Sequence, residues 1–299
     1  MNDILTTNSP DINDEIANST NFLQLASRGK NTWWRYLVSI FLILIIWQVI
    51  GAIPYALIFL LEFTQHPLIS YLGISFSFIC LLAAILFVVR FIHHRSPLTL
   101  ITSDIRISFS RILLSGGAWF LIILTITIFD AVLHPGSYQF TFEWKSFFLF
   151  LPAAILLTPI QTSAEELLFR GYFLQGLSFL TGNKWILSII SGVLFAVPHF
   201  LNPEMEYGFL LLALYYFFFG WLLTLITIQS NRLEYALGIH AANNLTTVLL
   251  ANYTGSALPS PSIFTAGIID PVFNLISFVL GAIILWFFLF KLLPQKFQQ

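Results

Sequence analysis

The sequence has 299 residues, of which 58% are apolar, 17% aromatic and only 9% charged, with a formal net charge of −1. A soluble domain carries about 25% charged residues, so this chain lacks the charges to solvate its own surface and must expose apolar residues to a lipid bilayer. The near-zero net charge excludes the basic field that nucleic-acid binding requires. Cys80 is the single cysteine, which excludes an intrachain disulfide and a cysteine-based metal site.

The first 33 residues are polar, and the first long apolar run begins only near Leu37. A secretory signal peptide would begin its apolar region much earlier, so we interpret residues 1–33 as a mobile, polar N-terminal tail. Trp33 and Trp34 are expected at the membrane interface, where tryptophan is enriched. Residues 34–299 are predicted to form a single membrane domain, because no linker is long or polar enough to separate domains.

Eight apolar segments follow the tail, most of them close to the 20 or so residues that a membrane-spanning helix needs. They are residues 37–61, 68–89, 112–133, 147–180, 185–200, 208–229, 233–252 and 271–290. The pattern predicts an all-α fold: a polytopic membrane bundle of about eight transmembrane helices.

The distribution of lysine and arginine residues predicts the orientation of these spans. With a cytoplasmic N-terminus and eight spans, eleven of these residues are cytoplasmic, Lys145 alone is outside and Arg170 lies within a span, in agreement with the positive-inside rule. We therefore predict an integral multi-pass protein, in the cell membrane if the source is bacterial, with both termini in the cytoplasm. The eleven are Arg28, Lys30, Arg35, Arg90, Arg95, Arg106, Arg111, Lys184, Arg232, Lys291 and Lys296.

Ionisable residues inside membrane spans are energetically costly, so each is a functional candidate. The densest group is Ser163-Ala-Glu-Glu-Leu-Leu-Phe-Arg170. On a helix, Glu166 and Arg170 are four residues apart and can pair, whereas Glu165 is offset by about 100° and lacks this partner. The spacing predicts that Glu166 and Arg170 support the structure and that Glu165 acts as a general base or acid. The alternative is a packing network of all three charges.

Two further pairs of residues at helical spacing lie in later spans. Phe195 and His199 share one helix face, and Pro198 would disturb the helix just before the histidine. His240 and Asn244 are also one turn apart and could donate two hydrogen bonds to a developing oxyanion. Taken alone, each pair could equally well be polar packing between membrane helices.

The positions of two of these candidates around Gly182 suggest that they belong to one site. Glu165 lies 17 residues before Gly182, and His199 lies 17 residues after it. A helical hairpin that turns at residues 181–183 would place both side chains at a similar depth, where they could meet.

Taken in order, these segments resemble the motifs of the CPBP family, the CAAX proteases and bacteriocin-processing enzymes also called Abi. The family shows Glu-Glu-x-x-x-Arg, Phe-x-x-x-His and His-x-x-x-Asn on successive transmembrane segments. The matching stretches lie within roughly residues 147–252 and read Glu165-Glu166-Leu-Leu-Phe-Arg170, Phe195-Ala-Val-Pro-His199 and His240-Ala-Ala-Asn-Asn244.

The resemblance implies an intramembrane endopeptidase similar to type II CAAX prenyl proteases, acting on a peptide or protein substrate. By carry-over, Glu165 and His199 would position and deprotonate the attacking water. His240 and Asn244 would stabilise the oxyanion, and the pair of Glu166 with Arg170 would hold the helices. Nothing in the sequence identifies a site for a prenyl group.

The resemblance leaves the cofactor open, because the family has been described both as metalloproteases and as metal-free, glutamate-dependent proteases. Glu165, His199 and His240 could ligate Zn²⁺ with one position left open. We favour metal-free hydrolysis, because Glu165 would otherwise have to serve as both ligand and base.

Two other functions remain as alternatives. The first is a non-catalytic membrane immunity or scaffold protein of the same fold. A binding role, however, gives no reason to keep both Glu165 and His199. The second is a proton-coupled transporter that uses Glu165 and Asp130. The lack of an internal sequence repeat, which many such transporters have, argues against this function.

Overall fold

A computed structural model describes residues 21–267 and 269–294. Within these ranges, eight helices occupy the positions of the eight predicted segments, and the predicted helical membrane bundle is confirmed. Six of them are long and apolar enough to cross a membrane, whereas α5 and α7 have 16 residues each. The helices are α1 Trp33–Leu60, α2 Pro67–Ile92, α3 Phe109–Leu133, α4 Trp144–Leu177, α5 Lys184–His199, α6 Phe209–Ser230, α7 Glu234–Leu249 and α8 Pro271–Leu292.

Helix α4, which carries the acidic motif, is interrupted at that motif. Its α-helical part ends at Glu166, and residues Leu167–Phe173 form a π-helical stretch before one last turn. A π-helical insertion shifts the angular position of the residues that follow it and is frequent at functional sites. The interruption in α4 therefore changes the face on which the residues after Glu166 lie.

The predicted hairpin between α4 and α5 is present. The chain leaves α4 at Leu177, and Asn183 caps the start of α5 by accepting hydrogen bonds from the backbone N–H groups of Trp185 and Ile186. An asparagine at this position satisfies N–H groups that have no partner within the helix. The cap fixes the start of the helix that ends at His199.

Glycines allow the helices that carry the motifs to pack closely. A Cβ atom on Gly238 of α7 would lie 2.1 Å from the carbonyl oxygen of Ile112 on α3. A Cβ atom on Gly220 of α6 would lie 3.1 Å from the Cα atom of Gly192 on α5. Small residues permit such backbone contact in membrane bundles.

Three short strands, which the sequence analysis did not predict, join the loops at one end of the bundle. They are β1 Tyr138–Phe140, β2 Ala251–Tyr253 and β3 Phe264–Ala266. The order is β1-β3-β2, with β1 antiparallel and β2 parallel to β3. This small sheet ties together the segments after α3, after α7 and before α8.

The expectation of a mobile tail is wrong for residues 21–33, whereas residues 1–20 lie outside the described ranges. Residues Phe22–Arg28 form a 3-10 helix, in which Phe22, Leu25 and Ala26 are 0% exposed. The Phe22 N–H donates to the Asn231 side chain at 2.7 Å, and the Gln175 amide donates to the Phe22 carbonyl at 3.1 Å. Four of the seven residues of this helix are apolar, and burial of their side chains favours its packing against the bundle.

Basic residues predicted to be cytoplasmic meet at the opposite end of the bundle from the sheet. Arg95 donates to Gln175 at 2.7 Å, which joins the end of α2 to the end of α4. Arg232, between α6 and α7, donates to Asp104 at 3.0 Å. The grouping agrees with the predicted alternation of the helices, and the side of the membrane on which this end lies stays a prediction.

Candidate active site

The acidic motif and its arginine form a fully buried ion pair at the centre of the site. Arg170 and Glu166 are both 0% exposed, and the Arg170 Nη1 atom donates to Glu166 Oε1 at 2.9 Å. The Nη2 atom donates to the carbonyl oxygen of Gly220 on α6 at 3.1 Å. The guanidinium carbon lies 4.4 Å from the ring centroid of Phe195 on α5, within the range of a cation–π contact. The pairing predicted from the spacing is present and links α4 to α5 and α6.

His240 lies between the two glutamates of the motif. Its Nδ1 atom is 2.7 Å from Glu166 Oε1, and its Nε2 atom is 3.5 Å from Glu165 Oε2. Because a carboxylate only accepts hydrogen bonds, Nδ1 carries the proton in the contact with Glu166. Glu166 therefore orients His240 as well as Arg170, a second contact that the sequence analysis did not predict.

Glu165 is 5% exposed, and its two carboxylate oxygens have different environments. Oε1 accepts a hydrogen bond from the Gln161 amide at 3.2 Å. Oε2 is buried and has no hydrogen-bond partner among the described residues, although it faces His240. Gln161 was not among the predicted site residues, although it lies four residues before Glu165 on the same face of α4, and that spacing was the available signal.

Gln161 also joins the acidic motif to the asparagines of α7. The Asn244 amide donates to Gln161 Oε1 at 3.4 Å, and the Asn243 amide donates to Asn244 Oδ1 at 3.2 Å. Asn243 in turn accepts a hydrogen bond from the Trp119 indole of α3 at 3.2 Å. This chain of side chains brings Asn244 to the edge of the site that Glu165 occupies.

His199 is the last residue of α5, and a hydrogen bond and a stacked tyrosine are among the contacts that hold its ring. Its Nδ1 atom donates to the carbonyl oxygen of Phe195 at 2.7 Å, and its ring stacks on Tyr216 of α6 with centroids 4.1 Å apart. With the proton on Nδ1, the Nε2 atom of the neutral ring keeps its lone pair. Nε2 has no hydrogen-bond partner within the described part of the chain.

The predicted meeting of His199 with Glu165 is not a direct contact. Across the described residues, no hydrogen bond or ion pair joins the two side chains. The ring of Phe195, one turn earlier on α5, lies 4.7 Å from the His199 ring and 5.7 Å from the His240 ring. The Phe195 ring therefore contacts both histidine rings, and His199 adjoins the cluster through this ring and not through a bond to Glu165.

The zinc ligand set that the sequence left open is not assembled. Within the described ranges, no three histidine, cysteine, aspartate or glutamate side chains converge as metal ligands. Glu165 and His240 approach each other, but His199 stays apart and the Nδ1 atom of His240 is bonded to Glu166. These side chains, as arranged, do not fit a three-ligand metal site.

Comparisons with known proteins agree with the motifs. Residues 143–246, a range that contains every residue of the candidate site, match the family model described as type II CAAX prenyl endopeptidase Rce1-like. The chain is 35% identical over 280 residues to a Bacillus subtilis protein described as uncharacterized protein YyaK, which covers 87% of this chain and 93% of that protein. No solved structure matches the chain. This chain belongs to the Rce1-like family of type II CAAX prenyl endopeptidases.

Proposed function

We propose that this protein is an intramembrane endopeptidase that hydrolyses a peptide bond of a membrane-associated peptide or protein, with Glu165 as the catalytic carboxylate. One observation carries the proposal: the buried Glu165 Oε2 has no hydrogen-bond partner among the described residues and lies 3.5 Å from His240 Nε2, a position that the likewise unpartnered Glu166 Oε2 and Glu234 Oε2 do not share. A buried, unsatisfied polar atom is costly, and a catalytic role is one of the few explanations for its presence. The free oxygen can accept a proton from a bound water.

The charges of the cluster support this assignment. Two carboxylates, one guanidinium and one imidazole share an interior site. Buried charges persist when they are paired, and with both ring nitrogens of His240 protonated the cluster has two negative and two positive charges. In that form His240 can keep its bond to Glu166 and also donate from Nε2.

The proposed reaction needs only the side chains of this protein, the peptide substrate and one water molecule. The water oxygen attacks the carbonyl carbon of the substrate, while Glu165 Oε2 takes a proton from the water. The Nε2–H of His240 and a free amide hydrogen of Asn244 donate to the oxyanion. The carbon–nitrogen bond then breaks, and the proton on Glu165 passes to the leaving amine. His199 orients the water through its Nε2 lone pair.

We propose that the reaction is metal-free, because the described side chains do not assemble a three-ligand site. Metal analysis of the purified protein, together with chelator treatment, tests this assignment. Stoichiometric zinc in the wild type that is lost in His199→Ala would overturn it.

We also propose that both termini are cytoplasmic. Ile105, between α2 and α3, is 92% exposed, and Glu206, between α5 and α6, is exposed at the other end of the bundle. In a Cys80→Ala background, the Glu206→Cys variant should react with an impermeant maleimide in intact cells. The Ile105→Cys variant should react only after lysis. The opposite labelling pattern would reverse the orientation.

The peptidase itself is tested with the full chain in liposomes. The probes are a farnesylated peptide with a C-terminal CAAX sequence and the same peptide without the prenyl group, and mass spectrometry identifies the cleaved bond. We expect cleavage of at least one probe by the wild type and none by Glu165→Gln/His199→Ala inserted to the same level. A cellular phenotype unaffected by this double substitution would favour the non-catalytic scaffold instead.

A further inference from the structure

A second buried carboxylate, which the proposed reaction does not use, lies near His199. Glu204 is 2% exposed and belongs to the short 3-10 turn Pro203–Tyr207 between α5 and α6. Both of its oxygens accept hydrogen bonds. The Tyr216 hydroxyl and the Asn202 amide donate to Oε1 at 2.5 and 2.9 Å, and the backbone N–H of Ala257 donates to Oε2 at 3.2 Å.

The tyrosine that Glu204 holds is the one that stacks on His199. The rings of Tyr216 and His199 are 4.1 Å apart and inclined by 27°. His199 is at the end of its helix, directly after Pro198, and its one hydrogen bond from the ring goes to the carbonyl of Phe195. That bond fixes one ring atom, whereas the stacked tyrosine fixes the plane of the ring.

A bond from a hydroxyl to a carboxylate at 2.5 Å is of the short, charge-assisted kind, which is about twice as strong as a neutral hydrogen bond. This bond holds the hydroxyl end of the Tyr216 side chain, which is the end farthest from the backbone of α6. Glu204 is in turn held by residues 251–266, between α7 and α8, which we call the outer segment, through the backbone N–H of Ala257. The contacts therefore form a continuous series from the outer segment, through Glu204 and Tyr216, to His199.

We propose that Tyr216 and Glu204 are positioning residues that fix the imidazole of His199 for peptide-bond hydrolysis, an inference that rests on the proposed peptidase function. Neither side chain needs to touch the substrate or the attacking water. Their effect is on geometry, and a misplacement of about 1 Å in a catalytic group can lower a rate by about 100-fold.

The chain offers a matched control in Tyr207. It lies in the same turn as Glu204, and its hydroxyl donates to the carbonyl oxygen of Thr254 at 2.7 Å. Tyr207→Phe therefore removes a comparable bond to the same outer segment and leaves the ring stacked on His199 in place. This variant therefore distinguishes the effect of attaching the outer segment from the effect of positioning His199.

The kinetic test measures kcat and KM separately for cleavage of the farnesylated CAAX peptide in liposomes. Tyr216→Leu removes the stacked ring, so kcat should fall by about 10- to 100-fold with KM within about twofold of the wild-type value. Tyr216→Phe keeps the ring and loses the hydroxyl, so its loss of kcat should be smaller. Glu204→Gln keeps an acceptor for Tyr216 and should retain more activity than Glu204→Ala. Tyr207→Phe should match the wild type.

A second measurement does not depend on cleavage. The rate at which diethyl pyrocarbonate modifies His199, read by mass spectrometry, should rise at least about twofold in Tyr216→Leu, because the stacked ring no longer covers one face of the imidazole. In Tyr207→Phe the rate should equal that of the wild type.

The outcomes separate this inference from the proposed function. Folded Tyr216→Leu and Tyr216→Phe with wild-type kcat and wild-type His199 modification would overturn the positioning role. Equal losses of kcat in Tyr207→Phe and Tyr216→Phe would also overturn it, because attachment of the outer segment would then explain both. If Tyr216→Leu does not fold, Tyr216→Phe and the pair of Glu204 variants decide. Undiminished cleavage by Glu165→Gln would instead refute the proposed function, whatever the tyrosine variants show.

Discussion

Removal of the Arg170 side-chain charge should destabilise the bundle more than any substitution of a partly exposed charge. In Arg170→Met, Glu166 stays buried at 0% exposure with His240 as its remaining hydrogen-bond partner, and the Gly220 carbonyl loses its donor. Breaking a buried ion pair by removing one partner costs about 3–5 kcal/mol. The lost contact with the Phe195 ring adds about 1 kcal/mol. We expect the free energy of unfolding to fall by about 4–6 kcal/mol.

The measurement is equilibrium unfolding of the purified protein in mixed detergent micelles, carried out on Arg170→Met, Glu166→Gln and the double variant. Because the two side chains are in direct contact at 2.9 Å, their effects should not add. The double variant should lose less stability than the two single variants lose together. It removes both charges, so that neither charge stays buried without its partner.

Asp104→Asn is the control for this cycle. Its side chain is 49% exposed and pairs with Arg232 at 3.0 Å and Arg111 at 3.7 Å, so its loss should cost less than about 1 kcal/mol. A loss in Arg170→Met that is no larger than the loss in Asp104→Asn would refute the reasoning. Additive effects of the two buried substitutions would refute it as well.

Three other predictions concern positions away from the buried pair. Gly238→Ala should lower the free energy of unfolding by about 3 kcal/mol, because the added Cβ would lie 2.1 Å from a carbonyl oxygen of α3, whereas Gly117→Ala, with nothing within 4 Å, should be neutral in the same assay. Gln175→Leu removes the donor to the Phe22 carbonyl, so limited proteolysis should cut residues 21–31 faster than in the wild type, and an unchanged rate would contradict the docking. Burial, with nearby arginine charges, lowers the pKa of His93 from 6.5 to about 4, so the unfolded chain binds the proton more readily. The free energy of unfolding should therefore fall as the pH drops from 6.5 to about 4, and His93→Gln should flatten this dependence.

The sequence predicted the features that depend on local spacing. The apolar runs located the eight helices, and the spacing of Glu166 and Arg170 predicted their ion pair, because residues four apart on a helix meet whatever the rest of the fold does. Gln161 follows the same rule relative to Glu165 and could have been found in this way.

The remaining features depend on contacts between residues far apart in the chain. The bond between Glu166 and His240 joins α4 to α7, and Tyr216 meets His199 across α5 and α6. No periodicity within one helix specifies which faces of two helices meet. The burial of Phe22 was missed for the same reason, because the surface that covers it comes from distant segments such as Asn231.

The central claim is that Glu165 performs the chemistry, and the rate of peptide cleavage by Glu165→Gln tests it most directly. The substitution keeps the size of the side chain and an acceptor for Gln161, so the protein should insert and fold as the wild type does. A general base contributes about 10²- to 10⁴-fold to a rate. We predict a loss of at least about 100-fold in kcat in liposomes of matched protein content, and cleavage at the wild-type rate would contradict the account.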